Sequence, residues 1–93
     1  MYAIITNWEF ASITDEMLQT IENVFFPRLK AQGALNVYNI QTSETTGSVV
    51  SVWPDKDTAD KAMDEVQSVR SEATSTFDSK VISVASGPVI VKA

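Results

Sequence analysis

The side chains that carry out most enzyme chemistry are missing from this chain. Its 93 residues include no cysteine and no histidine. Without cysteine there is no thiol nucleophile, disulfide, zinc–thiolate site or iron–sulfur ligation. Without histidine the usual general base near neutral pH, the usual haem ligand and the commonest transition-metal ligand are also gone. Chemistry is left to carboxylates, tyrosine, lysine and hydroxyls, or to a substrate that brings its own reactivity.

A few residues remain as candidates. Asn7, near the end of "YAIITNW", has an amide suited to orient a phenol or stabilise a developing enolate by hydrogen bonding. Its commoner role is to satisfy loop backbone after a strand. Trp8 points to the face opposite Asn7 and lines either a cavity or a subunit seam. Tyr38 is a candidate proton donor or stacking partner for a phenol, against ordinary cross-strand packing. Arg70 lies beside an apolar helical stripe, where it either pairs an anionic oxygen or reaches past the stripe to solvent. Trp53 closes "SVVSVW" just before Pro54 and Asp55. It reads first as an apolar plug at a strand–helix corner and second as the wall of a binding site. Asp57, Asp60 and Asp64 recur at helical spacing without a calcium-loop glycine. They read as a solvated face that compensates a helix N-terminus, and no metal site is expected.

These candidates are positioned by a small set of elements. "YAIITNW" (2–8) alternates as a strand. A helix follows, capped at Ser12 with Asp15 three residues on, or at Thr14. Its apolar stripe is Met17, Leu18, Ile21, Val24, Phe25 and Leu29, and Gly33 suits its left-handed end. Pro27 is expected to kink or break it after Phe26. "ALNVYNIQ" (34–41) and "SVVSVW" (48–53) form a hairpin about "TSETTG". Asp55 and Asp57 open a second helix, whose buried stripe is Ala59, Ala62, Met63, Val66, Val69, Ala73 and Phe77. "KVISVASGPVIVKA" is a last strand interrupted at Gly87–Pro88, which belongs at a sheet edge.

The order is β-α-β-β-α-β, the α+β ferredoxin-like arrangement: a four-stranded antiparallel sheet with two helices on one face. Residues 1–93 form one domain without repeats or linkers. Both faces of the strands are largely apolar, whereas a sheet covered on one side should be polar on the other. A bare apolar sheet face is a liability. A second copy packed face to face across a twofold axis covers it most economically, so a homodimer is expected.

Net charge sets the remaining bounds. Seven basic residues against twelve acidic ones give −5, and the basic residues are scattered, so nucleic-acid and anionic-membrane binding are not expected. No stretch approaches the roughly 20 apolar residues of a membrane span. "MYAIITNWEF" has neither the basic region nor the cleavage site of a signal peptide, and a cytoplasmic location is expected.

The stretches "FPRLKAQGALNVY", "SVVSVWPDKDTADKAM" and "VISVASGPVIV" together resemble the dimeric α/β-barrel proteins, and among them the antibiotic-biosynthesis-monooxygenase-like (ABM) group. Gln32-Gly33-Ala34 departs from that group's Pro-Gly-aromatic sequence. The resemblance covers nearly the whole chain. It implies a homodimer whose two sheets form a barrel, with a cavity between each sheet and its helices. It also implies relatives that are cofactor-free monooxygenases of polycyclic phenols or haem-degrading monooxygenases. Asn7 matches the strand asparagine of the haem-degrading branch. However, Ala62 and Glu72 stand where that branch has a tryptophan and a histidine, which rules out haem degradation. The resemblance therefore implies a cofactor-independent oxygenase of a small electron-rich aromatic such as a phenol or hydroquinone. Its catalytic candidates are Asn7, Tyr38 and Arg70, with Trp8 and Trp53 binding the substrate. The alternative is a non-catalytic homodimer that binds a small ligand or another protein. Periodicity leaves open which strand face meets the helices.

Overall fold

The computed structural model describes residues 1–93. In chain order it contains β1 (Tyr2–Phe10), α1 (Asp15–Thr20), a π-helical stretch (Ile21–Phe25), α2 (Phe26–Ala31), β2 (Asn36–Gln41), β3 (Thr46–Trp53), α3 (Lys56–Lys61), α4 (Met63–Phe77) and β4 (Ser79–Pro88). The strands form one antiparallel sheet in the order β2-β3-β1-β4. This is the β-α-β-β-α-β, ferredoxin-like arrangement.

Alternation along β1 decides which face meets the helices. Ile4, Thr6, Trp8 and Phe10 are buried under the helix layer, while Ala3, Ile5, Asn7 and Glu9 turn to the other side. Opposite Ile4 lies Ser51, and opposite Thr6 lies Val49, so β3 continues the same inner face. Trp53 ends it and is completely buried. Ala59 and Ala62 of the following helices are nearly as buried and belong to the same core cluster. Small side chains there let the helix approach a large ring closely, which is how interiors reach crystal-like density.

The first helix differs from the sequence expectation, with a physical reason. Pro27 does not break it after Phe26. Instead the backbone widens into a π-type turn, in which the Phe26 N–H donates to the Ile21 carbonyl, and Pro27 enters the first turn of α2. A proline ring clashes with the carbonyl four residues back and has no N–H to give. A wide turn relieves both problems without ending the helix. The extra residue also rotates the apolar face. Met17, Ile21, Phe25 and Leu29 are buried, but Leu18 and Val24 are exposed. Thr14, not Ser12, caps α1, its side chain accepting from the Met17 N–H at 3.1 Å.

The chain leaves α2 through a Schellman turn. The Gly33 N–H donates to the Lys30 carbonyl and the Ala34 N–H to that of Leu29, with Gly33 at φ +110. This geometry asks for glycine. The second helix is divided at Ala62, and Asp55 caps its first part by accepting from the Thr58 N–H at 2.7 Å. Arg28 of α2 reaches across the helix layer to Glu65 and Glu72 of α4. β4 is an edge strand that ends at Pro88, and its irregularity is a bulge opposite Asn7 and Trp8.

Candidate functional site

Between the inner face of the sheet and the helices lies a pocket whose floor includes Thr6, Trp8, Phe10 and Ser51 and whose roof includes Phe25, Val69, Arg70 and Phe77. Trp8 and Phe10, two apart on β1, stack with ring centroids 6.0 Å apart and 12° between planes. Phe25 and Phe77 meet edge to face at 5.7 Å. Sheet and helices thus supply an aromatic wall each. The open volume is about 50 Å³, room for a water or two, whereas drug-sized ligands occupy pockets of roughly 300–1,000 Å³. The void as it stands is too small for such a ligand.

The polar side chains of the lining are Thr6, Ser51 and Arg70. One Arg70 Nη2 N–H donates to Thr6 Oγ1 at 2.9 Å. Trp53 Nε1 donates to Ser51 Oγ at 2.9 Å. Both hydroxyl oxygens therefore accept a hydrogen bond, and neither hydroxyl proton has an acceptor in the structure. Arg70 also keeps four N–H groups without a protein acceptor, out of the five a guanidinium offers. Hydroxyls and guanidinium alike have donors to spend. The pocket lining contains no carboxylate, phenol or amine.

Arg70 is half-buried, and burial pushes its guanidinium below the usual value, with no carboxylate to offset the effect. Of the acids that share its helix, Glu65 and Glu72 are engaged with Arg28. Desolvation disfavours the charged form of a basic group, and an opposite charge would restore it. An anionic or strongly accepting oxygen placed beside Arg70 supplies what the protein does not.

The sequence candidates separate cleanly. Trp8 and Arg70 come together in the pocket. Asn7 does not reach it: the amide lies on the opposite face of the sheet, where Nδ2 donates to Ser83 Oγ at 3.0 Å and Oδ1 accepts from Ser48 Oγ at 2.6 Å. Strand alternation is the reason, since Asn7 and its pocket-facing neighbours differ by one residue. Tyr38 is on that outer face too, opposite Val50, and 54% exposed. Trp53 is a plug beneath the pocket that touches its chemistry through Ser51. Thr6 and Ser51 were not singled out from the sequence. Thr6 had a signal, a small hydroxyl between Ile4 and Trp8 on one strand face. Ser51 had none, because the two serines of "SVVSVW" fall on opposite strand faces and the period does not say which is inner. Among the acidic residues, Asp55 is a helix cap and Asp60 pairs with Lys56 at 2.8 Å.

No helix is long and apolar enough to cross a membrane. Neither a protein-family model nor a curated protein sequence matches the chain. Solved structures do match it. HapK from Hahella chejuensis superposes with a TM-score of 0.70 at 13% identity, over 100% of this chain and 96% of that one. A dimeric ferredoxin-like protein from an uncultured marine organism gives 0.70 at 15% identity, over 99% and 97%. An ethyl tert-butyl ether (EthD) family protein from Bacillus halodurans gives 0.65 at 13% identity, over 97% and 100%. At such identities the likeness speaks for the fold, and it spans both chains almost completely. The chain is an α+β protein with a ferredoxin-like fold, and its helix-side pocket holds a guanidinium and two hydroxyls with hydrogen-bond donors to spare.

Proposed function

We propose that this chain is an ABM-like homodimer, paired through its outer sheet face, that binds a small, mostly apolar molecule by one hydrogen-bond-accepting oxygen. The single observation that carries the binding reading is the cationic, donor-rich pole of Arg70, Thr6 and Ser51 in an otherwise apolar pocket. Ligand sites characteristically combine an apolar lining with a few convergent polar groups. The chemistry of those groups selects a carboxylate, phenolate, enolate or carbonyl and rejects an ammonium. Trp8 and Phe10 offer a flat surface for an aromatic body. A body larger than the 50 Å³ void enters when the Phe25–Phe77 side of the pocket opens.

Cofactor-independent oxygenation is the second reading, supported by the same donors. A phenolate or its carbanion-like tautomer held against Arg70 gives an electron to dioxygen. Recombination of the substrate radical with superoxide forms a C–O–O bond, and the proton lost by the phenol returns to the outer oxygen as a hydroperoxide. Loss of the hydrogen on that carbon then breaks the O–O bond, leaving a quinone carbonyl and releasing the outer oxygen as water. The pocket lining holds no base, so the substrate's own acidity, increased by the guanidinium, has to serve.

Titration of the protein with 2-naphthoate and with 2-naphthylmethylammonium, followed by calorimetry and by tryptophan fluorescence, tests the binding reading. The anion should bind at least about tenfold more tightly than the cation, a difference of ~1.4 kcal/mol. Equal affinities would remove the donor argument. Oxygen uptake with a panel of hydroquinones and polycyclic phenols separates the two readings. Uptake above the uncatalysed rate that is lost in Arg70→Met establishes turnover, and binding without uptake leaves a ligand-binding protein.

A further inference from the structure

Asn7, excluded from the pocket, sits in a row of its own. Across the outer sheet face the register aligns Ile40, Ser48, Asn7 and Ser83 on four successive strands. The next row is Tyr38, Val50, Ile5 and Ala85, and the one beyond it is Asn36, Val52, Ala3 and Gly87. These rows carry no charge. On the other side of the Asn7 row, Glu9 and Lys80 form an ion pair at 3.2 Å. The face is thus apolar over one half and bounded by a neutralised pair. Crossing it near the middle is one hydrogen-bonded string, Ser48 to Asn7 to Ser83.

The string is internally bonded but not saturated. Asn7 has a second N–H and a second carbonyl lone pair to spend, and the Ser83 hydroxyl accepts without donating. Covering this face with apolar side chains would strand those groups, at a desolvation cost for each. Covering it with a charged surface would bury an unpaired charge. A second copy presents the same donors and acceptors in the same order, and a primary amide is self-complementary. A twofold axis through this row would set it against itself.

Area and charge agree with that occupant. Strands of 9, 6, 8 and 10 residues, about 4.8 Å apart at ~3.3 Å per residue, give a face of roughly 520 Å² per copy. A pair therefore buries about 1,040 Å², just at the ~1,000 Å² that a specific interface needs. The chain's net charge of −5 opposes self-association in general, yet these rows put no like charges in contact.

We infer that the Ser48–Asn7–Ser83 row is the polar seam by which two copies of this chain recognise one another and set their register. The inference rests on the homodimer reading above and adds to it the residues that decide the geometry. The surrounding apolar rows supply area, and the seam makes one alignment better than its slipped alternatives, since a slip strands the amides against aliphatic side chains. A single buried polar position is a documented way of fixing register at some expense in stability.

The test uses the intact chain. Sedimentation velocity over a dilution series gives the dimer dissociation constant of the wild type and of Asn7→Asp, whose carboxylates would face one another. Like-charge juxtaposition across an interface costs several kcal/mol, so at pH 7.5 the variant should dissociate at least ~100-fold more readily. Circular dichroism confirms that its monomer is folded. The cysteine-free background provides a second measurement. Asn7→Cys should be joined into covalent dimers by a short bismaleimide, and Ser71→Cys on the exposed helix surface should not. A wild type that stays monomeric up to ~100 μM overturns the dimer reading and the seam together. A dimer that Asn7→Asp weakens less than about threefold, with Asn7→Cys uncrosslinked, overturns the seam and leaves the dimer standing. If Asn7→Asp does not fold, the crosslinking comparison decides.

Discussion

Replacing Arg70 with methionine separates a functional guanidinium from a structural one. The side chain makes one hydrogen bond, to Thr6 Oγ1, and has no acidic partner. Removing it forfeits a bond to a charged group, ~1.5–3 kcal/mol, and leaves the buried Thr6 hydroxyl short of a partner, a further ~1 kcal/mol. Against this, the half-buried charge no longer has to be desolvated. In addition, methionine keeps an apolar side chain of similar length against the pocket lining. The expected net loss is about 1–2 kcal/mol. Adding Thr6→Val removes the stranded hydroxyl. Replacing both partners by apolar groups of similar shape is close to neutral, so the double variant should return to within about 1 kcal/mol of the wild type. Urea unfolding at pH 7.5 reads these differences directly. In a domain of this size 1 kcal/mol moves the melting temperature by ~4–8 °C, so thermal melts suffice as a check. Both variants should lose the preference for 2-naphthoate, by ~30-fold or more if the ligand bond is worth ~2 kcal/mol. A double variant that stays more than about 2 kcal/mol below the wild type would show Arg70 to be a strut, and the donor-rich pole would lose its meaning.

Gly33→Ala forces a side chain onto φ +110 and sets a Cβ 2.9 Å from Thr58 Cγ2. About 2 kcal/mol of destabilisation is expected in urea unfolding, and Thr58→Ser should relieve the part that comes from the contact. Asp78 is the non-glycine residue at positive φ, 49°, at the end of α4. Asp78→Gly should therefore raise stability by about 0.5–1 kcal/mol, read from the same unfolding curves. The Thr58 backbone N–H, and secondarily its hydroxyl, hold the Asp55 carboxyl below the usual carboxylate range. A lowered folded value means stabilisation that is present above the unfolded value and lost as pH falls through the folded one. The melting-temperature gap between wild type and Asp55→Ala should accordingly be full at neutral pH and close on acidification; a gap independent of pH would contradict the cap.

The order of elements, the hairpin and the buried stripe of the second helix were legible in the sequence. Each is written in a local period of side chains. Local geometry reads directly from such a period, because strand residues alternate and helix residues return every three or four positions. The absence of histidine and cysteine was equally plain, and it left few chemistries to consider. Pro27 was readable as a disturbance but not in its outcome. Widening a turn or breaking a helix depends on whether Phe25 and Leu29 both find the core, a tertiary matter. The candidate site was less legible still. Asn7 and Thr6 are adjacent in sequence and equally polar, and the period fixes only that they point apart. Which of them meets the helices is decided when the helix layer buries Ile4, Trp8 and Phe10, placing Thr6 below Arg70 and leaving Asn7 among the serines of the open face. Ser51 acquires its role from the Trp53 indole beneath it, and Arg70 from the lack of any carboxylate across the pocket. By itself the sequence determined the elements and put forward Asn7, Tyr38 and Arg70, whereas Thr6 and Ser51 emerged only with the tertiary structure. The assignment of each group to pocket or open face was made by tertiary packing, because one residue of strand phase carries no sign until a second layer covers one side.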